Sequence, residues 1–186
     1  MDRIESSLQR LIEGNKLYVA LDEHKADVSD KRRLDLSKNG QQPFATIVSC
    51  ADSRVVPEHM FSCGLGELFT VSVAGNIIDT DELGSCIYAA EHLHTPVIVV
   101  LGHTQCGAIN SAINDEVEGP LGELITKIKA VIKDETDSVA AAKINVRAGV
   151  RTLQSDPEIA QLEQAGAVKV LGGLYHLDTG FVEFFE

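Results

Sequence analysis

Cys50-Ala51-Asp52-Ser53-Arg54 and His103-Thr104-Gln105-Cys106 are the two stretches of this chain whose residue types could do chemistry together. Two thiols and an imidazole are the donor set that Zn2+ takes when it keeps a fourth position open for water. A carboxylate and a guanidinium just past the first cysteine, Asp52 and Arg54, point to a catalytic metal rather than a structural one. His103 and Cys106 would face one point from a turn or a first helical turn, and a helix opening at Cys106 would favour its thiolate. In extended backbone alternate residues share a face, which would aim Asp52 and Arg54 together at the metal side. Two roles stay open for Asp52. It accepts a hydrogen bond from water on the metal, or it takes the fourth position itself and closes the site, with a bidentate Arg54 deciding between them. Taken singly, Asp-x-Arg reads as a surface ion pair and a lone buried Cys as a small hydrophobe. Cys63 and Cys86 are read that way, and His24, His59, His94 and His176 as structural or surface residues.

These groups need strands and helices to bring them together. Residues 4–24 carry Ile4, Leu8, Leu11, Ile12 and Tyr18 near one face of an amphipathic helix, and a polar, charged stretch follows to Asn39-Gly40. Short apolar runs at 44–48, 68–73 and 97–101 read as buried strands. Helical patterns lie at 55–63, 81–94, 106–113, 121–134 and 138–154, with Asp156-Pro157 starting another. Residues 168–177 and 181–185, separated by Asp178-Thr179-Gly180, read as a strand, a turn and a strand. The alternation predicts an α/β fold: a central, mostly parallel sheet in the order 2-1-3-4 with an antiparallel C-terminal strand, flanked by helices. It is read as one domain over 1–186, with 1–39 a helical N-terminal arm. In that order the first and third strands are neighbours, about 4.8 Å apart, and ligands gather beyond their carboxyl ends. Cys50 and His103 lie at those two ends, so the topology brings them to one crevice.

Composition narrows the partners. The net charge of −12 sets the chain against nucleic acid and anionic lipid, and aromatics at 5% with no Trp leave the core to aliphatic side chains. The start, Met1-Asp2-Arg3-Ile4-Glu5-Ser6, lacks an apolar signal core and no apolar run is long enough to span a membrane. A cytoplasmic setting is expected, where cysteine near histidine means metal or catalysis rather than disulfides.

Cys50-x-Asp52-x-Arg54 with His103-x-x-Cys106-Gly107 resembles the β-class carbonic anhydrases. The resemblance runs over nearly the whole chain, through Ser49–Val55, Gly66-Glu67-Leu68-Phe69, Ala74-Gly75-Asn76, Tyr88–Leu93 and Val100–Ala108. It implies Cys50, His103 and Cys106 as ligands of one Zn2+ per chain, Asp52 and Arg54 as a catalytic dyad, and reversible hydration of carbon dioxide to bicarbonate and a proton by a zinc-bound hydroxide. It further implies that Gln41, Phe69, Tyr88 and the backbone N–H of Gly107 contact substrate, that His92 shuttles protons, and that a dimer builds each site from both subunits. The pattern departs at Ser72, where relatives usually carry Arg; Arg3, Arg32 or Arg33 could compensate. Forms regulated by bicarbonate use a separate site built partly on Trp, so the absence of Trp favours the open, water-bound form. Two alternatives accompany this expectation: a carbonyl sulfide or carbon disulfide hydrolase on the same ligands, and a non-catalytic zinc-binding assembly subunit. The first helix and the helices between 121 and 165 look long for so small a sheet, and wrapping a partner subunit is one use for them, in a homodimer or higher even oligomer.

Overall fold

The structure, a computed structural model, describes residues 2–20, 26–115 and 119–186. Among these residues five strands form one sheet in the order β2-β1-β3-β4-β5: β1 is Ala45–Ser49, β2 Leu68–Ser72, β3 Val97–His103, β4 Lys169–Tyr175 and β5 Val182–Phe185. The first four run parallel and β5 returns antiparallel to β4, as the strand–turn–strand pattern at the C-terminus predicts. Every residue of β1 and β3 is buried, the mark of parallel strands covered on both faces.

Alternate residues of each strand feed opposite layers. On one face, Ala45, Ile47, Val97, Val99 and Leu101 pack with Leu11 of α1 (Arg3–Val19) and Met60 of α3 (Pro57–Met60). On the other, Val48, Ile98, Val100 and Val170 meet α4 (Thr80–Glu91), α7 (Ser138–Ser155) and α8 (Pro157–Gln164) through Cys86, Val146, Val150, Leu153 and Ile159. Each such side chain contributes about 1.5–3 kcal/mol on burial. A third cluster forms where α5 (Gly107–Ile113), α6 (Gly119–Ile132) and α7 meet: Ile109, Ile125, Ile128 and Ala141 surround Cys50 and Cys106.

The helices start where the sequence supplies caps. Asp2 with Glu5 and Asp79 with Glu82 form capping boxes, Asp137 caps α7, and Asp156 caps α8 ahead of Pro157. α1 stops at Val19, short of the predicted end, and residues 21–24 of that prediction, His24 among them, lie outside the described residues. The polar, charged stretch before Gly40, taken as part of a helical arm, holds α2 (Asp30–Asn39), capped by Ser29 and without one buried residue. The long helices are not spare. α1 buries Leu11 and Asn15, α6 buries Ile125, Ile128 and Ile132, and α7 buries seven residues, all within this chain. Length relative to the sheet is therefore no argument for a partner. α7 lies so close to β3 that a Cβ on Gly102 would come within 2.6 Å of Val146. No helix among the described residues is long and apolar enough to cross a membrane.

Candidate metal centre

β1 and β3 are paired with Ser49 opposite Leu101, so Cys50, the residue after β1, sits beside the last turn of β3, and His103 closes that strand. Gln105, in the left-handed region at φ 56°, then reverses the chain, and Cys106 becomes the N-cap of α5. The two Sγ atoms lie 4.0 Å apart, and with one ring nitrogen of His103 the three donor atoms are all within 4.8 Å of one another. His103 has no exposed surface, and the two cysteines are almost as deeply buried. The Nδ1–H of His103 donates to the Thr104 carbonyl at 2.9 Å, which leaves Nε2 as the unprotonated nitrogen, buried and without a hydrogen-bond partner. Such an orphan costs about 1–3 kcal/mol unless something fills it. Tetrahedral zinc with two thiolates would hold their sulfurs about 3.8 Å apart. Two thiols, one free imidazole nitrogen and that spacing fit Zn2+.

The thiols act as a pair. Hydrogen bonding between them pulls Cys50 down and pushes Cys106 up, while burial works against charge on both. The Gly75 N–H, which reaches the Cys50 sulfur at 3.3 Å, further favours a Cys50 thiolate. Cys63 and Cys86, by contrast, are packed among aliphatic side chains, and burial pushes each thiol up to about 12. They are core residues, as read from sequence.

Asp52 and Arg54 meet through a turn, not through extended backbone. Asp52 Oδ1 accepts the backbone N–H of Arg54 at 2.9 Å, an Asx-turn, and the Asp52 carbonyl accepts the N–H of Val55. A short aspartate side chain competes with strand geometry in this way, and here it wins. The turn folds the guanidinium back onto the carboxylate: Nε donates to Oδ1 at 2.9 Å and Nη2 to Oδ2 at 2.7 Å, with Nη2 also near the Gln105 carbonyl at 3.3 Å. These hydrogen bonds hold the Asp52 carboxyl well below the usual carboxylate range against a smaller opposing effect of burial. Its Oδ2 approaches His103 Nε2 at 3.9 Å, so the carboxylate faces the cluster while it stays clamped by Arg54.

Gly107, the first residue of α5, adjoins Cys106 with open space where a side chain would be. The other residues expected to contact substrate are elsewhere. Phe69 pairs with Thr46, four residues before Cys50, which places it about 13 Å back along the strand direction. Its ring lies 6.1 Å from that of Tyr88, which is 5.3 Å from that of His92, the C-cap of α4. Gln41 is exposed ahead of β1. Phe69, Tyr88 and His92 thus form one ring cluster, which like Gln41 lies towards the amino end of the strands, and Cys50, His103 and Cys106 occupy the carboxyl end. Ser72, at the end of edge strand β2, shares a hydroxyl contact of 3.3 Å with Ser49. The candidate substitutes for a lost arginine are committed elsewhere: Arg3 to the His94 carbonyl, Arg32 to the Leu65 carbonyl and Arg33 to Asp30.

Two supports of the site were not read from sequence: Thr104, whose carbonyl sets the His103 tautomer and whose hydroxyl accepts the Leu177 N–H at 3.1 Å, and the Gly75 N–H on Cys50. Thr104 gave no signal, because a backbone carbonyl has no side-chain signature. Gly75 stands at φ 70°, a conformation that its residue type does announce.

The sequence model of the family described as carbonic anhydrase matches residues 45–182. A carbonic anhydrase of Mycolicibacterium smegmatis is 35% identical over 185 residues, covering 93% of this chain and 89% of that protein. Carbonic anhydrase 2 of Mycobacterium tuberculosis is 36% identical over 181 residues, covering 91% of this chain and 87% of that protein. Among solved structures, a β-carbonic anhydrase of Coccomyxa in complex with acetazolamide superposes with a TM-score of 0.76 at 25% identity, covering 84% of this chain and 78% of that one.

Proposed function

This chain belongs to the carbonic anhydrase family, in its β class, and from that premise we propose that it catalyses the reversible hydration of carbon dioxide to bicarbonate and a proton. Cys50, His103 and Cys106 would hold one Zn2+ per chain. The observation that carries this reading is the buried His103 Nε2, without a hydrogen-bond partner, facing two thiols that have converged on it and a carboxylate 3.9 Å away. When bound, zinc supplies the Lewis acidity that makes water a nucleophile near neutral pH.

The chain's own groups do the rest. Asp52 Oδ2 accepts a hydrogen bond from the attacking water and orients it. Arg54 keeps both carboxylate oxygens occupied, so Asp52 orients water rather than closing the metal, which favours the open form. The N–H of Gly107 has no acceptor within its own helix, being the first of α5, and faces developing charge on the substrate oxygen. Burial of the ligands keeps bulk water from competing with carbon dioxide.

Gln41, Phe69 and Tyr88 cannot reach that cleft from their own chain, so we assign them to the cleft of a second copy in a homodimer or higher even oligomer. His92, beside Tyr88, goes with them, as a shuttle that carries the product proton away from the partner's site. A cytoplasmic location is in keeping with four cysteines that are all unpaired and buried. A non-catalytic zinc subunit would call for a fourth protein ligand or a broken dyad; Asp52 is clamped by Arg54 instead.

The test is stopped-flow carbon dioxide hydration on protein with quantified zinc, for the wild type and Asp52→Asn. One zinc per chain in both, with turnover in the wild type and a loss of about 100-fold or more in the variant, is expected. A fully zinc-loaded wild type without turnover would refute the reading, and carbonyl sulfide would be the next substrate offered.

A further inference from the structure

We propose that Asn145, on the far helix α7, is a positioning residue of the metal centre: it holds the Ala74–Asn76 turn so that the Gly75 N–H stays on the Cys50 sulfur. Asn145 occupies the apolar face of α7 among Ala141, Ala142, Val146 and Gly149, and is only 5% exposed. An amide in such a setting is costly unless it is hydrogen-bonded. Its Nδ2 donates to the Gly75 carbonyl at 2.8 Å. The Gly75 N–H in turn donates to Cys50 Sγ at 3.3 Å, so the two backbone groups of one residue tie α7 to Cys50.

The turn needs a tether. Gly75 and Asn76 stand in succession at φ 70° and 43°, both in the left-handed region. For Asn76 that conformation costs about 1–3 kcal/mol and persists only where surroundings enforce it. Within the turn the Asn76 N–H closes onto the Val73 carbonyl at 3.0 Å. Asn145 supplies the restraint from outside. A side chain on Gly75 would be driven against Ile128 Cδ1 at 2.6 Å, so the turn is also wedged from the α6 side and has one place to sit.

This tie has a chemical consequence. Two thiolates donate strongly to a metal and blunt its Lewis acidity. An N–H donating to one of those sulfurs withdraws electron density and restores part of it. Asn145 touches neither substrate nor ligand, and acts through Gly75. The proposal rests on Cys50 holding a metal, as argued above.

Cobalt-substituted holoenzyme gives a readout that packing alone would not move. Removing an N–H from a thiolate raises the energy of the sulfur lone pair, so the sulfur-to-cobalt charge-transfer band shifts to longer wavelength. Asn145→Leu replaces the donor with an apolar side chain of similar size, and Asn145→Ala deletes it. Both should show that shift, and in the zinc forms an affinity lower by about 10-fold in competition with a chromophoric chelator. Val150→Ala, five residues along the same buried side of α7, should lower the melting temperature and leave band and affinity alone. Independently of any variant, the Gly75 amide in cadmium-113-substituted wild type should show coupling to the metal through the sulfur. Absence of that coupling, or unshifted bands with wild-type affinity in both Asn145 variants, or an equal shift in Val150→Ala, would overturn the proposal. A wild type that takes up no cobalt, zinc or cadmium would instead sink the metal reading on which it rests.

Discussion

Gln41 and Asp52 lie at opposite ends of β1, so in the proposed two-fold pair each complete cleft would combine the Asp52 of one chain with the Gln41 of the other. Ala45 to Cys50 alone spans about 17 Å of extended chain, and Gln41 stands further out still. No glutamine side chain covers that distance. Co-expression of two inactive parents turns this geometry into a number. Asp52→Asn keeps the ligands but loses the orienting carboxylate, and should retain about 1% of turnover or less. Gln41→Ala removes an exposed residue outside any strand, leaves the fold intact, and should retain about 10% if one substrate hydrogen bond of about 1.4 kcal/mol is lost. With random pairing, about half the pairs are mixed. In each mixed pair one cleft carries both defects and the other carries neither. Turnover per chain should then recover to about one quarter of wild type, roughly fivefold above the mean of the parents. The assay is stopped-flow carbon dioxide hydration on differently tagged chains, with their ratio and zinc content measured. Recovery no greater than the mean of the parents would place Gln41 on its own chain's chemistry and refute the shared cleft.

Gly107→Ala should raise or hold the melting temperature, since a Cβ there meets nothing and alanine favours a helix by about 0.5–1 kcal/mol, yet lower kcat/KM about tenfold by projecting into the cleft; unchanged kcat/KM would separate Gly107 from substrate. With the metal stripped by a chelator under argon, Cys50, whose thiolate Cys106 and the Gly75 N–H favour, should be the first thiol to meet a disulfide reagent, while Cys63 and Cys86, pushed up to about 12 by burial, react only after denaturation. Early reaction of Cys63 or Cys86 would contradict the packing assigned to them. His92→Ala should lower turnover in dilute buffer, with added imidazole restoring it; unchanged turnover at low buffer would remove the shuttle.

Why the ligands could be read in advance, and their supports could not, follows from how each is specified. Cys50 and His103 end apolar runs, and strand order alone makes those ends neighbours, so residue type plus topology suffices. The antiparallel C-terminal strand was readable for the same reason, from two apolar runs around a turn. The Asp52–Arg54 contact was expected for the wrong reason: alternation along a strand presupposes extended backbone, and Asp52 itself ends that backbone by capturing the Arg54 N–H. Within the helical arm expected over 1–39, α2 has no bounds legible in the sequence, because it buries nothing and so shows no apolar periodicity. Asn145 is the harder case. A polar residue at helical spacing among Ala141, Ala142, Val146 and Gly149 is visible in the sequence as an anomaly on a buried face, and burial demands that it find a partner. Which partner depends on the register of α7 against a turn between β2 and α4, a relation between segments that no local rule supplies. That the partner is the carbonyl of Gly75, the residue whose N–H donates to Cys50, makes the anomaly informative. In a core built almost wholly from aliphatic side chains, a buried amide marks where the packing of α7 and the candidate metal site are tied to one residue.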